Sequence, residues 1–139
     1  MGCFMLNGLR LFKAASHSCL SLLVATVALL MYAGTWHYLF DLPVYDAVFK
    51  LMSSVFFTVA LAFISVRFSY FFFQMLVYGR ADKVACFGLH NGFNPINFLF
   101  LPRLLNHRGL HARGGCIRAA LLFCLVYTAI LLFTRLQLQ

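Results

Sequence analysis

The sequence contains no glutamate, and its only acids are Asp41, Asp46 and Asp82. No paired carboxylates are therefore available for general acid and base work, and a carboxylate-rich metal site is excluded from the outset. Charge of either sign is scarce, at 10% of residues, against roughly 25% in a soluble domain. Tryptophan occurs once and proline three times. The five cysteines (Cys3, Cys19, Cys86, Cys116 and Cys124) are odd in number and form no C-x-x-C. That pattern gives neither a disulfide framework nor a zinc knuckle, and it reads as free thiols acting as small hydrophobes.

What fills the space is apolar. Hydrophobic residues make up 63% of the 139-residue chain, with 17 Phe and 6 Tyr. A soluble domain of this length cannot hide so much surface, and lipid is the simplest solvent for it. The expected fold is an all-α membrane protein with about three transmembrane helices and an interfacial or re-entrant segment in the second loop. A basic arm covers residues 1–15. Residues 16–36 carry no formal charge and are long enough to cross the bilayer. The run continues past Met31 without a closing small-x-small site, so it is expected to be retained rather than cleaved. Trp36, His37 and Tyr38 form a belt at its far end.

A short loop over residues 37–50 follows, with Pro43 marking a turn and Asp46 placed to help cap the next helix. The second segment, residues 51–78, is longer than one crossing needs and is interrupted by Arg67. A central Arg costs about 2.5–3.5 kcal/mol on insertion scales. Arg67 is therefore expected near the membrane boundary, with an aromatic interfacial extension beyond it. The alternative is a tilted helix that holds Arg67 inside the membrane against a partner.

Residues 79–118 read as a basic loop broken by Gly88, Gly92, Pro95, Pro102, Gly109, Gly114 and Gly115. Within it, residues 93–102 are apolar but too short to span, and are expected to lie in the interface or dip into the bundle. Residues 119–135 read as the third crossing, with Arg118 and Arg135 snorkelling to the two headgroup layers. A four-residue tail ends the chain.

Formal net charge is +8. Arg80, Lys83, Arg103, Arg108, Arg113 and Arg118 all fall in the second loop. They are expected to contact anionic lipid, at about 1 kcal/mol per cation near the surface. No nucleic-acid motif accompanies the charge, so no nucleic-acid partner is expected. The arm and second loop hold most of the Lys and Arg, which places both in the cytoplasm and the C-terminus outside.

Several constellations bear on chemistry. His107 and His111, with Cys116 nearby, would share one side of a helix, but the glycines argue against that helix and no carboxylate supports a metal. Arg103, Arg108, Arg113 and Arg118 recur every fifth residue, a spacing that makes no helical stripe. Met1-Gly2-Cys3 lacks the Ser or Thr that myristoylation wants at the sixth position, where Leu6 stands. No nucleophile elbow is present. The expectation is a non-enzymatic protein with no catalytic residue, metal or cofactor.

The most informative string is Arg67-Phe-Ser-Tyr-Phe-Phe-Phe-Gln-Met75. It reads either as an interfacial girdle or as a partner-docking ridge made of Arg67, Phe68, Tyr70, Phe71, Phe72, Phe73 and Gln74. At these residues, followed by Arg80, Lys83 and Gly88, the sequence resembles the IcmV/TraX-like small inner-membrane proteins of Dot/Icm-type (type IVB) secretion and conjugation systems. The resemblance covers roughly residues 16–88. It implies a structural subunit of a cell-envelope transfer machine in a bacterial inner membrane, packed against a large polytopic channel-like partner of the DotA/TraY kind. Two other readings stand beside the non-catalytic subunit. One is an oligomeric channel or transport element with Arg67 on the path. The other is a small membrane enzyme using His107, His111 or Cys116.

Overall fold

A computed structural model of the chain describes residues 2–40, 43–81 and 96–137. The fold is all-α, as expected. Three long helices, α1 (Gly2–Phe40), α2 (Pro43–Tyr78) and α4 (His107–Gln137), are each long and apolar enough to cross a membrane. Between α2 and α4 lie a single helical turn, α3 (Asn97–Phe100), and a 3-10 turn over Pro102–Leu104.

Helix α2 is the centre of the molecule. It packs along both α1 and α4, while α1 and α4 are not substantial neighbours. The α1 contact line is legible as a 3.5-residue repeat. Phe12, Ser16, Cys19, Leu23, Thr26, Leu30, Ala33 and His37 are buried or half-buried, and the residues between them are mostly exposed. Alternating steps of four and three are the signature of a left-handed seam. The small members Ser16, Thr26 and Ala33 are the most buried. The Thr26 hydroxyl donates to the Leu23 carbonyl and that of Ser53, on α2, to the Phe49 carbonyl, so neither carries an unmet hydrogen bond into the apolar seam.

The α4 line has the same period. Leu105, Gly109, Ala112, Cys116 and Ala119 are buried, and Val126, Ile130 and Phe133 continue the line half-buried. Within the helix its first half, from Gly109 to Ala119, is made of small residues, which lets two backbones approach closely. A Cβ on Gly79 would sit 2.5 Å from the Gly109 Cα, and one on Gly115 would sit 2.6 Å from the Phe71 ring.

This corrects one expectation. The stretch from His107 to Arg118 is not loop: Gly109, Gly114 and Gly115 all lie inside α4. Each glycine costs about 1 kcal/mol of helix propensity, but at Gly109 and Gly115 the missing side chain is what admits α2. Packing along the whole of α4 offsets the local cost.

Two further boundaries shift. The basic arm is continuous with the first crossing, since α1 begins at Gly2. The loop over residues 37–50 shrinks, because α1 reaches Phe40 and α2 starts at Pro43. Asp46 lies in the first turn of α2, and its carboxylate pairs with Lys50 at 2.7 Å.

The end of the bundle beyond Arg67 carries a small packed head. Met75, Leu76, Phe98, Leu105 and Ala112 form its core, with Phe72, Leu99 and Leu104 against it. Phe98, on α3, is 1% exposed. Of the apolar segment 93–102, residues 93–95 lie outside the described residues. The remainder caps the ends of α2 and α4, with Phe98 inserted between them and Phe100 turned outward at 70% exposure.

Asn106 closes this head. Its Oδ1 accepts from the Gly109 N–H at 2.9 Å, which makes it the N-cap of α4. Its Nδ2 donates to the carbonyls of Tyr78 and Arg80 at 2.9 and 3.0 Å, and its backbone N–H donates to the Gly79 carbonyl. One side chain thus satisfies an orphan donor at the start of α4 and orphan acceptors at the end of α2.

Candidate functional site

The levels of the three helices are fixed by ring contacts between them. Phe12 stacks on Phe73 at 5.2 Å and His37 on Phe49 at 5.7 Å, which sets α1 against α2. Phe71 over Gly115 and Phe57 beside Phe133 at 5.6 Å set α4 against α2. With these registers, His17, Arg67 and Arg118 stand at one level, and Trp36, Lys50 and Arg135 at another. Lys50 to Arg67 and Arg118 to Arg135 each rise ~26 Å, and His17 to Trp36 ~29 Å, at ~1.5 Å per residue. Those lengths match a hydrocarbon core of ~30 Å. The flanks between the two levels are apolar and little covered by the bundle. Burial reaches 6%, 17% and 11% of the most apolar windows of α1, α2 and α4, so lipid or another protein must meet the rest.

Arg67 occupies the level nearer the head. Its guanidinium carbon lies 5.0 Å from the centroid of the Phe71 ring, a cation–π contact that holds the side chain over α2. The side chain borders two adjoining cavities. The larger, about 430 Å³, lies between α2 and α4, with Arg67, His111 and Arg118 at its polar side and Phe63, Ile64 and Leu122 at its apolar side. The smaller, about 250 Å³, lies between α2 and α1 and is bordered by Lys13, Ser16, His17 and Tyr70. Cationic groups from all three helices thus converge around Arg67. The only carboxylate among the described residues is that of Asp46, paired with Lys50 at the opposite level.

The aromatic string beyond Arg67 is largely engaged inside the chain. Phe71 fills the notch left by Gly115. Phe72 packs on the head core and stacks with Phe68 at 6.1 Å. Phe73 meets α1 through Phe12, and Tyr70 lies edge-on to Phe71 at 5.5 Å. All five rings are half-buried. Spread around every face of α2, they serve α1 on one side and α4 on the other. Gln74 borders a further cavity of about 510 Å³ with Tyr78, His107, Arg108 and His111.

The basic residues divide. Arg103, Arg108 and Arg118 are exposed. Arg80 is half-buried, with its backbone bridged to Leu105. Arg113 donates from Nε to the Leu99 carbonyl at 2.6 Å and so ties α4 to α3. Lys83 lies outside the described residues. His107 and His111 share one face of α4, and among the described residues no group of three or more His, Cys, Asp or Glu comes together.

Arg67 and Arg118 belong to two separate groups in the sequence reading, and the structure sets them on one cavity. Sequence reasoning also misses Asn106, although an Asn directly before a helical period is an N-cap signal. It misses the Gly109-Ala112-Cys116-Ala119 line as well, whose 3.5-residue spacing is hidden by the weight given to glycine as a breaker. No protein-family model, no curated protein and no solved structure matches the chain.

Proposed function

We propose that the chain is a non-catalytic structural subunit of a multi-protein membrane assembly. The observation that carries this reading is the unused apolar surface of α1 and α4. Each helix spends one seam on α2, and the opposite flanks are set with large exposed side chains. On α1 these include Leu22, Val24, Leu29 and Met31, and on α4 Leu121, Leu125 and Leu132. A helix with two usable faces, one of them free, suits packing against a larger polytopic neighbour.

The docking role assigned to Arg67 and the aromatic string moves accordingly. Those rings hold the three helices in register, and the outer flanks of α1 and α4 offer the partner surface. The resemblance over residues 16–88 supports a type IVB secretion or conjugation apparatus in a bacterial inner membrane as the setting.

In this reading the head and the start of α1 are cytoplasmic, and the C-terminus is external. Charge supports it: Arg10, Lys13, Arg67, Arg80, Arg103, Arg108, Arg113 and Arg118 gather at the head end, while Lys50 and Arg135 mark the other, with Lys50 neutralised by Asp46.

The test is purification of the tagged chain in mild detergent at native expression, followed by mass spectrometry of what accompanies it. A stoichiometric polytopic membrane protein is the expected result. That protein should no longer co-purify when Leu22 and Met31, or Leu121 and Leu125, are changed to Ser. Recovery of the chain as a homo-oligomer, with nothing else bound, overturns the subunit reading in favour of a channel or transport element.

A further inference from the structure

We infer that the groove between α2 and α4 at the level of Arg67 is a binding site for an anionic phospholipid. Three features of one cavity point to this ligand. The first is its polarity, which is divided along the membrane normal. Its polar side chains, Arg67, His111 and Arg118, all lie towards the head, with Phe71 and Gly115 among them, whereas the lining towards the middle of the bilayer, with Phe63, Ile64 and Leu122, is apolar throughout. A molecule that is anionic at one end and apolar at the other fits it in that order.

The second feature is uncompensated charge. Arg67 has an aromatic face beneath it, and among the described residues no carboxylate pairs with it. Arg118 donates to the Gly114 carbonyl of its own helix at 3.4 Å, and among the described residues no carboxylate stands near it. Two guanidiniums at the edge of a low-dielectric layer repel each other unless an anion stands between them. A phosphodiester accepts from guanidinium nitrogens through its charged oxygens, and charge-assisted bonds of this kind are about twice as strong as neutral ones. Lys13, on the adjoining cavity, adds to the same local field.

The third feature is depth. The cavity lies at the level where the ~30 Å apolar layer ends, which is where phospholipid phosphates reside. A soluble phosphate compound would leave the apolar half of the cavity empty. The occupant therefore carries acyl chains that lie along Phe63, Ile64 and Leu122. This site is distinct from a general attraction of the exposed loop cations to headgroups, because it needs Arg67 and Arg118 together and a groove between two helices.

The experiment is native mass spectrometry of the full chain released from micelles doped with equal amounts of phosphatidylglycerol and phosphatidylcholine. One phosphatidylglycerol per chain is expected to be retained in preference to phosphatidylcholine. Arg67→Gln or Arg118→Gln should each lower that retention ~5-fold and the pair together ~25-fold, from the contribution per cation near a charged surface. Arg67→Lys and Arg118→Lys keep the charge and should keep most of the retention, which separates loss of the site from loss of the fold. Arg103→Gln with Arg108→Gln removes two exposed cations elsewhere and should leave retention within about twofold, since neither borders the groove.

Equal retention of the two lipids overturns the proposal, as does an equal loss in the Arg103 and Arg108 variant. Displacement of the lipid by excess glycerol 3-phosphate also overturns it, since the acyl chains would then contribute nothing. None of these outcomes depends on whether a partner protein is recovered, so this site and the subunit reading fail separately.

Discussion

The two helix pairs of this molecule are built on different principles. Helices α1 and α2 meet along a continuous seam of small and medium side chains with a stacked ring pair near each end. Helix α4 meets the chain backbone to backbone where Gly109 lies on Gly79, the residue directly after α2, and the turn is locked by Asn106 and by the fully buried Phe98. The first pair is a long, distributed contact. The second concentrates its stability in the head, outside the apolar layer, where hydrogen bonds and burial from water both count. Inside lipid the hydrophobic effect between helices is absent and only packing and hydrogen bonding remain. The head is therefore where single substitutions should cost most.

The sharpest way to break this contrast is Phe98→Ala. Removing a fully buried ring from a water-facing core should cost about 3–5 kcal/mol, read as a fall in the midpoint of SDS-induced unfolding in mixed micelles. A loss below about 1 kcal/mol, well under the usual cost of such a truncation, would mean that the head core contributes little. Next is Gly109→Ala. The added methyl has only the Gly79 backbone to push against, so the helices must separate, at a cost of about 2–3 kcal/mol. Unchanged stability would show that α2 and α4 do not cross there.

Asn106→Ala removes a helix cap and the two bonds to the end of α2, for about 1–2 kcal/mol. It should also raise amide exchange in the first turn of α4 while leaving α1 untouched. Equal exchange in both helices would contradict the local role given to this side chain. In the other pair, Phe12→Ala should cost only about 1 kcal/mol, the contribution of one aromatic contact. Smallest of all is Gly34→Ala: a Cβ there would lie 3.5 Å from the Phe49 ring, an ordinary contact. No loss is expected, and the helix propensity gained over glycine should raise stability by up to about 1 kcal/mol. A large loss would reveal an α1–α2 approach as tight as the one at Gly109, and the distinction between the two pairs would fall.

Much of the α1–α2 pair is legible in the sequence. The uncharged run from Ser16 to Trp36 is its own evidence of a helix able to cross a membrane, and the cost of burying Arg67 argues for a boundary near it. The region from Gly79 to Arg118 is harder to read, for a reason visible at Gly109 and Gly115. A glycine in a helix is locally unfavourable, and only the presence of a second backbone or of the Phe71 ring makes it the residue that fits. The aromatic string is ambiguous for a related reason. Rings on every face of α2 are surplus for a lone helix, yet they become ordinary packing once α1 and α4 stand on two sides of it.

By itself the sequence determined the apolar, membrane-compatible character of this protein and its helical class, because composition and charge act through transfer energies that do not depend on neighbours. The tertiary structure decided what depends on proximity. It set Gly79 against Gly109, turned a glycine-rich basic stretch into the start of α4, and placed Arg67 and Arg118 on one cavity although they lie on different helices and far apart in the chain. The physical reason is that close helix packing and the sharing of an anion are properties of pairs, and the pairing is fixed only when α4 folds back along α2.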